Sequence, residues 1–293
     1  MASWFLPIAV SALCLGVYDL CKKHAVRDNS VMPVLFFATL CGSFFFVALS
    51  LWRGEFAAAI ACDFPAWMRV LVKTLIVAAS WCCGYYALRE LPISLAAPIR
   101  ATSPLWTFSG GLFLYHEIPT LPQGLSMALV FAGYYYFTLL GKLEGFSWRR
   151  SRGLHLIIAA TLLGAVSALY DKYLLNSLRI PRETVQLWFS LDLVLVLGAV
   201  YFIRGRCFPA AHKFIWRWTI PLTGVLLIIA DYAYFYAVSL PDIQISVLSL
   251  IRRASCIVTF VAGVYCFREK YVTRKACALA VVLAGIAGLA LWK

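Results

Sequence analysis

The chain has 293 residues, 63% of them hydrophobic and 13% charged, with a formal net charge of +13. A soluble domain of this length needs far more polar surface than that composition supplies. In so apolar a chain the basic excess belongs to loops at a membrane surface, so no nucleic-acid partner is expected.

A bilayer core about 30 Å thick takes roughly 20 apolar residues per helix. In chain order, ten stretches reach that length: 4–20, 31–52, 66–88, 92–115, 121–140, 153–175, 183–203, 214–239, 242–267 and 272–292. Short charged or Pro/Gly-punctuated connectors separate them, among them Arg53-Gly54-Glu55 and Arg204-Gly205-Arg206. None is long enough for a soluble domain. The first stretch has no basic run before it and ends in Tyr18-Asp19-Leu20, which is not a small-residue cleavage site, so it is expected to stay as a helix. Ten cysteines are scattered without a C-x-x-C pair, which gives no disulfide framework and no zinc site. No metal and no cofactor is expected. Loops on the face away from the termini hold sixteen Lys and Arg, against seven on the termini face. The positive-inside rule then places both termini outside a cell membrane, plasma or inner, that the chain crosses many times.

Sliding the sequence over itself by 152 positions brings its halves into register. Ile99-Arg100-Ala101-Thr102-Ser103-Pro104-Leu105-Trp106-Thr107-Phe108 lies over Ile251-Arg252-Arg253-Ala254-Ser255-Cys256-Ile257-Val258-Thr259-Phe260. The same shift pairs Tyr18-Asp19 with Tyr170-Asp171, Gly111 with Gly263, Glu117 with Glu269, and Ala132-Gly133 with Ala284-Gly285. Each half holds five spans. An odd number makes the second half enter the membrane from the opposite side, so the expected fold is an all-α integral membrane protein of ten transmembrane helices in two five-helix inverted repeats, 1–145 and 146–293. Inverted repeats are a common construction of secondary transporters, because two oppositely oriented halves can expose one central site to each face in turn.

The stretches from Tyr85-Tyr86-Ala87-Leu88 to Glu117-Ile118-Pro119-Thr120, and from Tyr236-Ala237-Val238 to Glu269-Lys270, resemble the repeat of the EamA-like transporters of the drug/metabolite transporter superfamily. That pattern runs from an aromatic-Ala-Leu helix end through a Pro-containing turn and an apolar helix to a Glu. The resemblance implies a ten-helix carrier of small organic metabolites, commonly an exporter, with a solute cavity lined by both halves. It also implies cytoplasmic termini, the reverse of the charge bias. Arg100 and Arg252-Arg253 are more polar than the general family pattern, which marks a subgroup with its own substrate class.

Charges inside a membrane are expensive, and those that persist face a partner or a wet cavity. Arg100 stands eight residues into its span, about 12 Å deep, and Asp19 reaches a comparable depth from the end of the first span. Two symmetry-related ion pairs are expected, Asp19 with Arg100 and Asp171 with Arg252. They open in turn as the halves rock, or their arginines hold an anionic group of the solute, or they only hold helices together. Arg253 has no aspartate counterpart in the repeat and is the stronger candidate for touching solute. Asp192 and Asp231 have no acidic equivalents in the first half and are candidates to carry a coupling proton or to pair with Arg253. Glu117 and Glu269 are expected to be structural, each capping the helix that follows it. Trp81, Tyr85, Trp106, Tyr232 and Tyr236 either line an aromatic cavity or anchor the interface. Pro98 and Pro104 are expected to bend the fourth span.

The competing classes are weaker. An intramembrane aspartyl protease would add Gly-x-Gly-Asp and a metalloprotease His-Glu-x-x-His, and neither occurs; His24, His116, His155 and His212 all fall near span ends. A receptor would add a signalling domain. A flippase for a lipid or a lipid-linked phosphate is the alternative that keeps the same fold, since intramembrane arginines suit a phosphate head group.

Overall fold

In the computed structural model of the chain, residues 4–91, 99–100, 102–142, 152–207, 213–240, 243–255, 258 and 272–291 are described. Among them there is helix and no strand. The helices are α1 (Phe5–Val26), α2 (Val31–Trp52), α3 (Phe56–Ile60), α4 (Phe64–Glu90), α5 (Ser103–Tyr115), α6 (Leu121–Lys142), α7 (Arg152–Lys172) with a π-helical turn at Tyr173–Ser177, α8 (Arg182–Cys207), α9 (Thr219–Ser239), α10 (Ile245–Arg252) and α11 (Val272–Leu291). Lipid offers no partner to backbone N–H and C=O groups, so a spanning segment satisfies them within its own helix. Among the described residues six helical segments are long and apolar enough to cross a membrane: Phe5–Val26, Val31–Trp52, Phe64–Ala87, Arg152–Ser177, Arg182–Gly205 and Thr219–Ser239. Phe44 (77% exposed), Trp52 (85%) and Phe113 (77%) project outward from the helices, as apolar side chains do where the solvent is lipid.

Packing comes in pairs. α1 lies along α9 and α4 along α7; α2 meets α9 and α8 meets α4; α1 touches α10 and α7 touches α5. In each couple one contact maps onto the other when the two sequence halves are exchanged. Glycines set the closest approaches. A Cβ on Gly42 of α2 would stand 2.8 Å from the carbonyl oxygen of Gly224 of α9. α6 and α11 form a separate two-helix unit: a Cβ on Gly133 would meet the Ala278 carbonyl oxygen at 3.0 Å, and one on Gly285 the Ser126 carbonyl oxygen at 2.8 Å. These two glycines are partners in the sequence repeat.

The fourth and ninth spans differ from expectation. Neither is a continuous helix. Helical residues 99–100 are followed by a turn in which Thr102 N–H donates to Ile99 O at 3.1 Å and the Thr102 hydroxyl donates to the same oxygen at 2.7 Å. α5 then starts at Ser103, with Pro104 in its first turn. Pro104 has no N–H to continue the preceding turn, so the backbone breaks. α10 stops at Arg252, and Arg253 and Ala254 form a turn with Ala254 N–H donating to Ile251 O at 2.9 Å. Here no proline acts. Pro98, the other expected bend, lies outside the described residues. The connector 53–65 between the second and third stretches holds the short helix α3.

Candidate functional site

A cavity of about 210 Å³ lies among α1, α4, α5, α7, α8, α9 and α10. Small side chains keep it open: Ser80 and Gly84 on α4, Gly164 and Ser167 on α7, Ser103 on α5 and Ser249 on α10. Both helix breaks adjoin it, and Arg100, Arg252 and Arg253 line it. Interrupted helices at mid-membrane are where transporter sites form, because unpaired backbone is tolerated only against protein or a wet cavity.

The charged groups fall into two clusters. Toward the end of the cavity where α5 and α7 finish, Lys73 of α4 pairs with Asp171 of α7, their side chains 1% and 6% exposed. The Lys73 ammonium also lies 4.0 Å from the Phe235 ring centroid and 4.4 Å from that of Phe189. Beside them Arg252 of α10 pairs with Asp231 of α9 and covers the Tyr234 ring at 4.1 Å. Arg252 Nε is buried with no hydrogen-bond partner among the described residues. Toward the other end, Arg100 Nη1 lies 3.6 Å from Asp19 Oδ1, with side chains 31% and 27% exposed. Lys22 stands nearby, its ammonium 4.0 Å from the Tyr85 ring centroid and 5.4 Å from that of Tyr18.

The structure thus brings Asp19 to Arg100 but gives Asp171 and Arg252 different partners from those expected of strict symmetry. α9 has no Lys or Arg, and the only acid in α4 is Glu90 at its end. Lys73 and Asp231 are therefore additions to a single half each, and each takes one member of the expected pair. Three lysines assigned to loop faces by their sequence position are also inside: Lys22, Lys73 and Lys172. For Lys22 and Lys73 a signal existed. Lys22 follows Tyr18-Asp19 by one helical turn, so it shares their face, and Lys73 falls within the apolar stretch 66–88.

Glu117 caps a different helix from the expected one. α5 ends in a left-handed residue, His116 (φ 53°), and Glu117 N–H donates back to Gly111 O at 3.2 Å. That reversal turns the Glu117 side chain inward over Gly111, where a Cβ would stand 2.8 Å from Glu117 Oε2. The carboxylate then accepts from Ile245 N–H at 2.9 Å and from the Ser246 hydroxyl at 3.0 Å, the first turn of α10, and pairs with Lys172 of α7. Lys172 Nζ also donates to Ile243 O at 3.1 Å, and the Tyr115 hydroxyl to Leu169 O at 2.6 Å. The helix that follows Glu117 uses Gln123 instead, whose Oε1 accepts from Thr120 N–H at 3.0 Å. Glu269 lies outside the described residues. At the opposite end Asn29 ties the first two spans to the ninth helix's approach, donating to Ile215 O at 2.7 Å and accepting from Ile215 N–H at 2.9 Å.

Of the expected aromatic residues, Trp81 lines the cavity and Tyr85 is buried beside Lys22. Trp106 does not: it is 50% exposed on the outer side of α5. Tyr232 and Tyr236, four residues apart, share a face of α9 turned away from the cavity, where Arg182 lies 5.6 and 4.6 Å from their rings and Arg53 Nη1 donates to Tyr232 at 3.0 Å. Asp192 of α8 is 2% exposed but sits apart from the cavity, bonded through Oδ1 to Trp67 Nε1 at 3.3 Å. Its Oδ2 is buried without a partner among the described residues.

These features define a multi-spanning α-helical membrane protein enclosing a charged central cavity. Residues 2–139 match the model of the EamA-like transporter family, a match consistent with the drug/metabolite transporter superfamily. A solved crystal structure resembles it with a TM-score of 0.77, over 99% of this chain and 97% of that chain, at 15% sequence identity. At that identity the likeness speaks for the fold alone. No curated protein matches the sequence.

Proposed function

We propose that the protein is a secondary transporter that exports a small organic metabolite bearing an anionic group, by alternating access between two inverted five-helix repeats, 1–145 and 146–293, in the cell membrane (plasma or inner). The observation that carries this reading is the cavity lined from both sequence halves, with a turn interrupting the helix beside it at Thr102 and another at Arg253. Supporting the repeat are the paired helix contacts and the reciprocal Gly133 and Gly285. Supporting an anionic solute are five cavity-lining cations, Lys22, Lys73, Arg100, Arg252 and Arg253, against two lining carboxylates, Asp171 and Asp231.

The two ends of the cavity differ, which suits one state of a rocking cycle. At the Glu117 end, α5, α7 and α10 are bound together by Glu117, Lys172 and Tyr115. At the Asn29 end the Asp19–Arg100 contact is long and partly exposed. In this scheme the bound-together first end is the closed one and solute enters at the second, which the positive-inside rule makes the cytoplasmic side. Arg252 and Arg253 hold the anion in this scheme, while Asp231 exchanges between Arg252 and a proton. Asp192 is the second candidate for the coupling proton.

The test is flux in proteoliposomes with and without a pH gradient, comparing wild type with Arg253→Ala and Asp231→Asn. Arg253→Ala is expected to weaken solute affinity at least about ten-fold, the effect of removing one charge-assisted contact. Asp231→Asn is expected to abolish the response to the gradient. Flux of a genuine substrate unchanged in both variants would refute the site.

A further inference from the structure

We propose that Lys22 of α1 forms, together with Arg100, a second anion-binding subsite at the Asn29 end of the cavity, built for a carboxylate or phosphate group. The proposal rests on the transport reading above and adds to it a contact on a helix that was not expected to touch solute.

Lys22 lines the cavity and is 7% exposed. Its surroundings differ from those of the other buried cavity lysine. Lys73 touches Asp171, and Arg252 touches Asp231. Among the described residues no carboxylate lies within ion-pair distance of Lys22 and none accepts a hydrogen bond from it; its ammonium lies against the faces of Tyr85 at 4.0 Å and Tyr18 at 5.4 Å. Ring faces attract a cation but supply no lone pair to three N–H donors. A buried ammonium is sustained only when those donors find an acceptor. Lys22 lines the cavity, so a group that fills the cavity can supply an acceptor to these donors.

Charge favours an anion over water in that role. Arg100 repels Lys22 while Asp19 attracts it, so two cations share one carboxylate there, and the Asp19–Arg100 contact at 3.6 Å is beyond hydrogen-bond range. An incoming anion between the two cations relieves their repulsion. A guanidinium offers it a planar pair of donors and a lysine a point charge, a combination suited to a carboxylate or phosphate. The Tyr18 and Tyr85 rings lie against the ammonium itself, which holds the head of Lys22 beside the cavity.

The test reads binding without flux. The full-length protein in detergent is unfolded thermally while titrated with inorganic phosphate or acetate, ionic strength being held constant with chloride. A saturable rise of the midpoint with at least one anion is expected for wild type. Lys22→Gln is expected to raise the half-saturating concentration at least about ten-fold, and Lys22→Arg to keep it within about three-fold. Lys22→Met, which keeps the aliphatic stem on the rings, replaces the Gln variant if that one fails to fold. A parallel titration with dihexanoyl phosphatidate separates a lipid head group from a free anion as the source; a Lys22-dependent shift from either supports the subsite. Wild-type half-saturation in Lys22→Gln or Lys22→Met, or no saturable shift with any of the three probes, overturns it. A Lys22-dependent shift in a protein that carries no flux would instead sink the transport reading and leave the subsite standing.

Discussion

Glu117→Gln is expected to loosen one end of the cavity without unfolding the molecule. The carboxylate is 5% exposed, pairs with Lys172, and accepts from Ile245 N–H and the Ser246 hydroxyl at the start of α10. Glutamine has nearly the same volume, so packing over Gly111 is retained. What is lost is the negative charge. One amide oxygen can still accept, but the NH₂ group faces donors, and Lys172 keeps only Ile243 O at 3.1 Å. Charge-assisted bonds contribute about 1.5–3 kcal/mol each, and leaving one member of a buried pair alone costs about 3–5 kcal/mol. A net loss of about 3 kcal/mol at this junction corresponds to a roughly hundred-fold rise in its open population. Hydrogen exchange read by mass spectrometry measures that population directly. Peptides containing 243–252 and 111–117 should lose about two orders of magnitude of protection, while peptides from α2 and α8 keep theirs. Unchanged exchange at 243–252, or a uniform loss across all helices, would refute the assignment of Glu117 as the closure of that end.

Three further outcomes are expected. Lys73→Met strands Asp171, 6% exposed, and should destabilise by about 3–5 kcal/mol, most of it recovered in Lys73→Met with Asp171→Leu; thermal unfolding in detergent decides. Gly42→Ala places a Cβ 2.8 Å from the Gly224 carbonyl oxygen, which should cost about 1–3 kcal/mol as overpacking does, whereas Gly84→Ala, with its nearest neighbour at 3.6 Å, should leave the unfolding midpoint unchanged. In flux measurements Trp81→Ala, in the cavity wall, should alter solute affinity, and Trp106→Ala, half exposed on the outer side of α5, should not.

The membrane character of the chain was legible because a bilayer imposes a length on apolar runs, and no other solvent does. Four of the six long spans agree with the stretches read from hydropathy to within two residues at each end, while Phe5–Val26 runs six residues past its expected end and Thr219–Ser239 starts five residues late. The breaks in the fourth and ninth spans were not legible as breaks: hydropathy averages over a window and is blind to whether the backbone continues through it. Pro104 gave a local signal in one, while the other carries none at Arg253-Ala254. In the site, the Asp19–Arg100 contact followed from depth along two adjacent spans, which rise per residue determines. The partners of Asp171 and Arg252 did not follow, because the symmetry used to infer them is broken by Lys73 and Asp231. The outward placement of Tyr232 and Tyr236 depended on the rotational phase of α9, and a helix apolar on nearly every side does not reveal its phase in sequence.

The α6 and α11 pair has a consequence for how the molecule could move. Each helix indents the other at a glycine, and among the described residues their contact with the cavity helices runs chiefly through the short α10. In the transport scheme proposed above, this pair would stand in the bilayer as a post beside the cavity helices. Neither glycine is then negotiable on its own: a Cβ at Gly133 meets the Ala278 carbonyl oxygen at 3.0 Å and one at Gly285 the Ser126 carbonyl oxygen at 2.8 Å, so a side chain at either position pries the post apart.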